Sequence, residues 1–329
     1  MRVVQCTSFG PLSGLVIDER PSPPMFPGCL RIEVTAAGVN FVDGLFVQGL
    51  YQIKPPLPFV PGNEVAGRVV EVADGVTGWS VGERVFANVG LGGFASEVMV
   101  DARRVARTPD SLTDTQAATF TQSYATAWFA LHHRARAVAG QSLLVLGAGG
   151  GVGLAAVDVA HAAGLTVIAA ASSDDKRQAA LERGAAAVID SSTEDVKTRA
   201  KELAAELTGD ANGVDLVYDP VGGEQGEQAL RALREDGQFL VIGFASGRIP
   251  QLPANQVLLR NRRVTGVDWG AWASRNPADN QAMVQAIVDA ITRGELRPVE
   301  PVRYRLDDAA QALQDQLDRR ITGKSVLIP

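Results

Sequence analysis

The chain has 329 residues, 46% apolar and 21% charged, a globular composition with material for two cores that excludes a disordered or fibrous chain. Lys and Arg number 31 against 37 Asp and Glu, a net charge of −6, so no basic excess exists to hold nucleic acid or an anionic membrane. Cys6 and Cys29 are too few for a disulfide framework or a four-thiolate zinc lobe, no signal-like leader opens the chain, and no apolar run approaches the roughly 20 residues of a membrane span. The expectation is a cytoplasmic protein acting on a small molecule.

In chain order, residues 31–35, 65–72, 84–87 and 94–100 read as strands punctuated by Gly and Pro clusters at 21–28 and 55–62, the pattern of an irregular antiparallel barrel. An Ala-rich helical segment follows over 113–139. Apolar strands are then expected at 142–146, 166–171, 187–190, 214–219 and 238–243, with amphipathic helices at 152–163, 175–183, 194–207 and 225–233. Such alternation requires right-handed crossovers and a parallel, doubly wound α/β sheet. Residues 264–269 extend the strand pattern, 279–293 and 307–317 read as helices, and 302–306 and 325–328 as strands of a tail that returns to the first domain. The expected division is 1–121 with 272–329 as one domain and 122–271 as the other.

The segment from Gly147 to Gly153 is a glycine-rich turn between a buried strand and a helix. Ala148, Gly150 and Gly153 form the Ala-first version of the dinucleotide fingerprint, in which small residues admit a pyrophosphate to the helix N-terminus; Gly151 and Val152 open that helix. About 20 residues on, Ser172, Ser173 and Lys176 offer two hydroxyls and a cation to an adenosine 2′-phosphate. The same residues also read as a helix start capped by Ser173, with Asp174 and Asp175 favouring the dipole or binding a ribose. On balance NADPH is preferred over NADH. Gly243, Phe244 and Ser246 follow a strand of the same sheet at its C-terminal end, where a cofactor crevice is expected.

Two other signals fail on spacing. Gly323-Lys324-Ser325 lacks the first glycine of a P-loop because Asp318 stands there, and Ser246 is one place late for a nucleophile elbow. The three histidines, His132, His133 and His161, lie in helical stretches without metal-ligand spacing. No metal is expected.

Residues 37–43 (Ala-Gly-Val-Asn-Phe-Val-Asp), 49–52, 55–67 with Pro61-Gly62-Asn63-Glu64, 81–85, the glycine turn, 172–176, 214–223 and 322–324 together resemble the zinc-independent quinone oxidoreductase branch of the medium-chain dehydrogenase/reductase superfamily. Compared with the zinc enzymes of that superfamily, Asn40 occupies the neighbourhood of their first Cys ligand and Asn63 replaces the His of their Gly-His-Glu motif. Ser191 stands where the quinone branch commonly has a Tyr near the 2′-phosphate. The resemblance implies a GroES-like, mostly β catalytic domain built from both chain ends, a Rossmann domain inserted between them, and an active site in the cleft. It also implies a nicotinamide contact at Thr126 and a homodimer joined edge to edge, with 264–267 as the candidate strand.

The expected reaction is hydride transfer from NADPH to a quinone or to the β-carbon of an α,β-unsaturated carbonyl compound. Without a metal, hydrogen-bond donors must stabilise the charge that builds on oxygen. Tyr51 is the candidate donor or orienting group, with Asn40 alongside and Asp43 bracing the loop; a lid residue is the alternative for Tyr51. Lys324 is a cofactor candidate or a solvated lysine, and Phe46, Trp269 and Trp272 are pocket or packing residues. Competing functions are an acryloyl-type thioester reductase, a zinc alcohol dehydrogenase disfavoured by its missing ligands, and a non-catalytic NADPH-binding structural or sensor protein.

Overall fold

The β-rich runs near the start form strands β1 (Arg2–Gln5), β2 (Val16–Glu19), β3 (Cys29–Val39), β4 (Glu64–Val72), β5 (Arg84–Asn88), β6 (Glu97–Asp101) and β7 (Val105–Arg107). The later apolar runs form β8 (Ser142–Val145), β9 (Thr166–Ala171), β10 (Ala187–Asp190), β11 (Val214–Asp219), β12 (Leu233–Val241) and β13 (Arg263–Gly266). The tail adds β14 (Val302–Arg305) and β15 (Ser325–Ile328). The computed structural model describes Met1–Pro329, in two units: Met1–Gln122 with Pro298–Pro329, and Ser123–Arg297.

In the first unit β1 pairs antiparallel with β2, and the remaining strands form a sheet of order β14-β15-β3-β4-β5-β7, with β6 also on β3. β3 is buried along most of its length because β4, β6 and β15 all pair with it. Its Leu30, Ile32 and Val34 join Val65, Val69, Val85, Val98 and Leu327 in one core, each such side chain contributing about 1.5–3 kcal/mol when fully buried.

In the second unit all six strands are parallel, in the order β10-β9-β8-β11-β12-β13. This is the doubly wound order with its reversal beside the first strand, here β8, which places a ligand crevice outside the carboxyl ends of the strands. Leu144, Ile168, Val217 and Phe239 fill the core against helices Val196–Thr208 and Gly223–Ala232. No helix is long and apolar enough to cross a membrane.

Two expectations need correction. The helix over 113–139 is interrupted: Asp114–Ala117 and Thr121–Trp128 are separate helices, followed by a π-helical turn, Phe129–Ala135, that ends at Arg136 with φ 53°. The Thr119 hydroxyl donates to the Thr115 carbonyl at 3.0 Å, competing with continuation of the helix. The tail expected with the first domain from 272 joins it only from Pro298. Trp272 instead lies 4.8 Å from Phe129 and 5.3 Å from His133, Trp269 Nε1 donates to Asn280 Oδ1 at 2.9 Å, and the Arg297 N–H donates to Asp158 at 2.6 Å. These contacts keep 269–297 within the second unit.

Candidate active site

In the second unit, β8 is fully buried and runs into the glycine turn, after which the helix Gly151–Ala162 begins. Gly147 takes φ 57°, and a Cβ on Gly153 would overlap the Gly147 carbonyl, so turn and helix pack backbone to backbone. Around Gly150 there is room: a Cβ there meets only the Gly147 oxygen, at 3.5 Å. Ala148 is buried and its N–H donates to Ala170 of β9 at 3.0 Å, while Gly151 and Val152 sit half-buried in the first helical turn. Amide N–H groups at such an end favour an anionic group.

Ser172 and Ser173 are exposed at the end of β9. Ser173 occupies the N-cap position of helix Asp174–Glu182, yet its side chain makes no capping bond. Of the two neighbouring cations, Arg177 is tied to Asp174 and, at 3.0 Å, to Asp190. Lys176 is half-buried, and its stem lies so close over Gly149 that a Cβ there would overlap it. Glycine at 149 is thus what lets Lys176 cross the turn.

Gly243, Phe244 and Ser246 follow β12; Phe244 packs against Gly222, and the Ser246 hydroxyl accepts from the Arg248 N–H at 3.3 Å and donates to the Arg248 carbonyl at 3.2 Å. Asp219, ending β11, accepts from the N–H groups of Val221 and Gly222 at 2.8 Å, and burial pushes its carboxyl pKa up. The fingerprint, the Ser172–Lys176 segment and the Gly243–Ser246 turn therefore all follow carboxyl ends of one sheet. Thr126 is half-buried on helix Thr121–Trp128.

In the first unit, sheet register gathers residues far apart in sequence. β3 pairs with β15 through Val39 and Ser325 and with β4 through Gly38 and Glu64, so positions 40, 63–64 and 324 meet just beyond the paired ends. Gly38 admits the Ala118 carbonyl where any Cβ would overlap it, which brings the segment leading to Gln122 against the same end.

A buried polar network results. Lys324 Nζ donates to Asn40 Oδ1 and faces Glu64 Oε1 at 3.7 Å, although Lys324 is only 5% and Glu64 1% exposed. Asn40 Nδ2 donates to Asn63 Oδ1 at 3.0 Å and to Glu64 Oε1 at 2.8 Å; Asn63 Nδ2 donates to Gln122 Oε1, and the Gln122 N–H donates to Glu64 Oε2 at 3.0 Å. The fully buried Asp43 accepts the Asn40 N–H at 2.8 Å. Burial pushes its carboxyl up to about 7, helped by the Glu64 charge and opposed by the Asn40 N–H and the Lys324 charge.

Asn40, Asp43 and Lys324 are thereby brought together, and Lys324 is buried within this network and not solvated. Tyr51 lies in the loop after helix Phe41–Gln48, half-buried, its ring edge-on to Phe46 at 4.8 Å. Glu64 and Gln122 are site residues that the sequence reading did not propose. Glu64 had a signal, since it adjoins Asn63 in the quoted motif; Gln122 had none, because only tertiary packing brings it to Asn63.

The family described as "Alcohol dehydrogenase GroES-like domain" matches residues 27–110, and "Zinc-binding dehydrogenase" matches residues 151–289. A quinone oxidoreductase-like protein 2 homolog of Nematostella vectensis is 37% identical over 99% of this chain and 88% of its own length. The Escherichia coli quinone oxidoreductase complexed with NADPH superposes with TM-score 0.89 at 28% identity, covering 100% of both chains. The quinone oxidoreductase of Thermus thermophilus, also solved with NADPH, gives 0.84 at 32% identity, again covering 100% of both. Whole-length similarity, the parallel sheet with its glycine turn and the GroES-like unit lead to one conclusion: this chain belongs to the zinc-independent quinone oxidoreductase branch of the medium-chain dehydrogenase/reductase superfamily.

Proposed function

We propose that the protein is an NADPH-dependent reductase of a quinone or an α,β-unsaturated carbonyl compound that works without a metal. The observation that carries this reading is the Lys324 ammonium held against Asn40 and Glu64 where zinc relatives keep metal ligands. Zinc takes thiolate, imidazole or carboxylate donors. Here two positions are amides bonded to each other, and the nearby carboxylate already faces a cation. A divalent ion would have to displace a buried ammonium, so this donor set does not fit zinc.

The residues of the nucleotide turn do fit a dinucleotide. Gly150, Gly151, Val152 and Gly153 would hold the pyrophosphate with backbone N–H groups, Ala148 keeping the turn close to the sheet. Ser172, Ser173 and Lys176 would hold the 2′-phosphate; the uncapped Ser173 hydroxyl and the Lys176 stem across Gly149 support this assignment. Thr126, Gly243, Phe244 and Ser246 would line the remainder of the cofactor. When bound, NADPH supplies a hydride, which with one proton from water completes a two-electron reduction. Tyr51 orients the acceptor and donates to its oxygen, while Asn40 and Asp43 order the network behind it. β13, paired on one side only, is the seam of a homodimer, and a monomer in sedimentation would remove that part. The reading places the protein in the cytoplasm, where its free thiols Cys6 and Cys29 stay reduced.

The test is oxidation of NADPH and NADH against a panel of quinones, enones and acryloyl-type thioesters. Turnover of at least one acceptor is expected, and a nucleotide-saturated protein that turns over none would favour a sensor. Lys176→Ala should weaken NADPH about tenfold and NADH less than twofold, corresponding to about 1.4 kcal/mol lost at the phosphate. Equal weakening would contradict the phosphate assignment.

A further inference from the structure

We propose that Gln122 is a catalytic hydrogen-bond donor, its side-chain amide directed at the substrate oxygen by a one-way chain of amides that starts at the Lys324 ammonium. The proposal rests on the reductase reading above. Its ground is the direction of the hydrogen bonds, which the two ends of the network fix. A lysine ammonium can only donate, so Asn40 must turn its Oδ1 towards Lys324. The Asn40 Nδ2 hydrogens then go to Asn63 Oδ1 and the Glu64 carboxylate, both acceptors. With its oxygen used, Asn63 turns Nδ2 to Gln122 Oε1.

Each amide dipole therefore points the same way, away from the buried cation, and hydrogen bonds aligned in this fashion polarise one another. Asn40 has no amide hydrogen to spare for a substrate and is a positioning residue. Gln122 is the open end. Its backbone N–H is pinned by Glu64 and its Oε1 by Asn63, but its Nε2 has no acceptor in the protein. It is also half-buried, whereas Asn40, Asn63, Glu64 and Lys324 are buried. Gln122 is the second residue of helix Thr121–Trp128. A fixed donor fed by a buried positive charge is suited to an oxygen that becomes negative as hydride arrives, because it needs no reorganisation at that moment.

The test compares Gln122→Glu and Gln122→Met with the wild type on its best acceptor. Glu keeps the oxygen that receives the Asn63 hydrogen and replaces the donor by a second oxygen; Met removes both. A donor role predicts that kcat/KM falls at least about 30-fold in Gln122→Glu and about tenfold in Gln122→Met, with the Kd for NADPH within about twofold of wild type in both. A residue that merely held Asn63 would give the reverse order, Met worse than Glu, and that order would overturn the proposal. So would a Gln122→Glu protein within about threefold of wild type. A wild type that reduces no acceptor instead defeats the reductase reading, and this proposal with it.

Discussion

The two units make their polar sites in opposite ways. In the Ser123–Arg297 unit the glycine turn offers backbone: what matters is the side chain that positions 149, 150 and 153 lack. In the other unit the network at Asn40, Asn63, Glu64, Gln122 and Lys324 is made of side chains in a nearly dry environment, each needing its partner. A backbone site fails by steric intrusion. A buried side-chain network fails by leaving a polar group unpaired.

The sharpest way to break this contrast is Gly153→Val. The added side chain meets the Gly147 carbonyl, which is backbone and cannot rotate aside, so nucleotide affinity should fall more than about 100-fold together with several degrees of Tm. Gly150→Ala serves as its control, because only ordinary contact awaits a methyl there; it should keep Tm within about 2 °C and lose affinity alone. Fluorescence titration and thermal melting separate the two, and equal melting losses would show that the turn is not a backbone site of the kind described.

Next in size is Glu64→Ala, which removes the carboxylate facing Lys324 and strands a buried ammonium. A loss of about 3 kcal/mol is expected in denaturant unfolding. Removing both charges, as Glu64→Gln with Lys324→Met, should recover at least about half of it. If the double variant is as unstable as the sum of its single changes, the pair is not coupled.

Smallest per unit step is a pH slope, spread over about three pH units. Asp43 titrates near 3.8 when unfolded and at about 7 when folded, so between these values the native chain holds a proton that the unfolded chain has released. The contribution to stability is full below about pH 4 and is lost as pH rises to about 7, at no more than about 1.4 kcal/mol per pH unit. Asp43→Asn should flatten unfolding free energy against pH in that window. An unchanged slope would assign the titration to another group.

The contrast also explains what could be read in advance. The glycine turn, the helix after it and the Ser172–Lys176 segment are short local stretches, so their spacing carries their geometry, and alternating patterns carry the parallel, doubly wound sheet, whereas its strand order comes from the tertiary structure. Even there, Ser173 sits at the helix start without the expected capping bond, because a cap is a side-chain rotamer and not a pattern. The interruption after Ala117 was hidden because the Ala-rich run 113–139 holds no Gly or Pro to mark a break, while the Thr119 hydroxyl competes for a carbonyl.

The sequence by itself determined the two kinds of architecture, the glycine turn and the absence of Cys and His at positions 40 and 63, since these depend on residue type and short spacing. Only the tertiary structure decided that Lys324 belongs with Glu64 and Asn40, that Asn40 has no hydrogen left to give, and that Gln122 ends the chain of amides. The physical reason is strand register. Pairing β3 with both β4 and β15 places residues 284 positions apart within hydrogen-bond reach, and no local preference of either residue encodes that meeting.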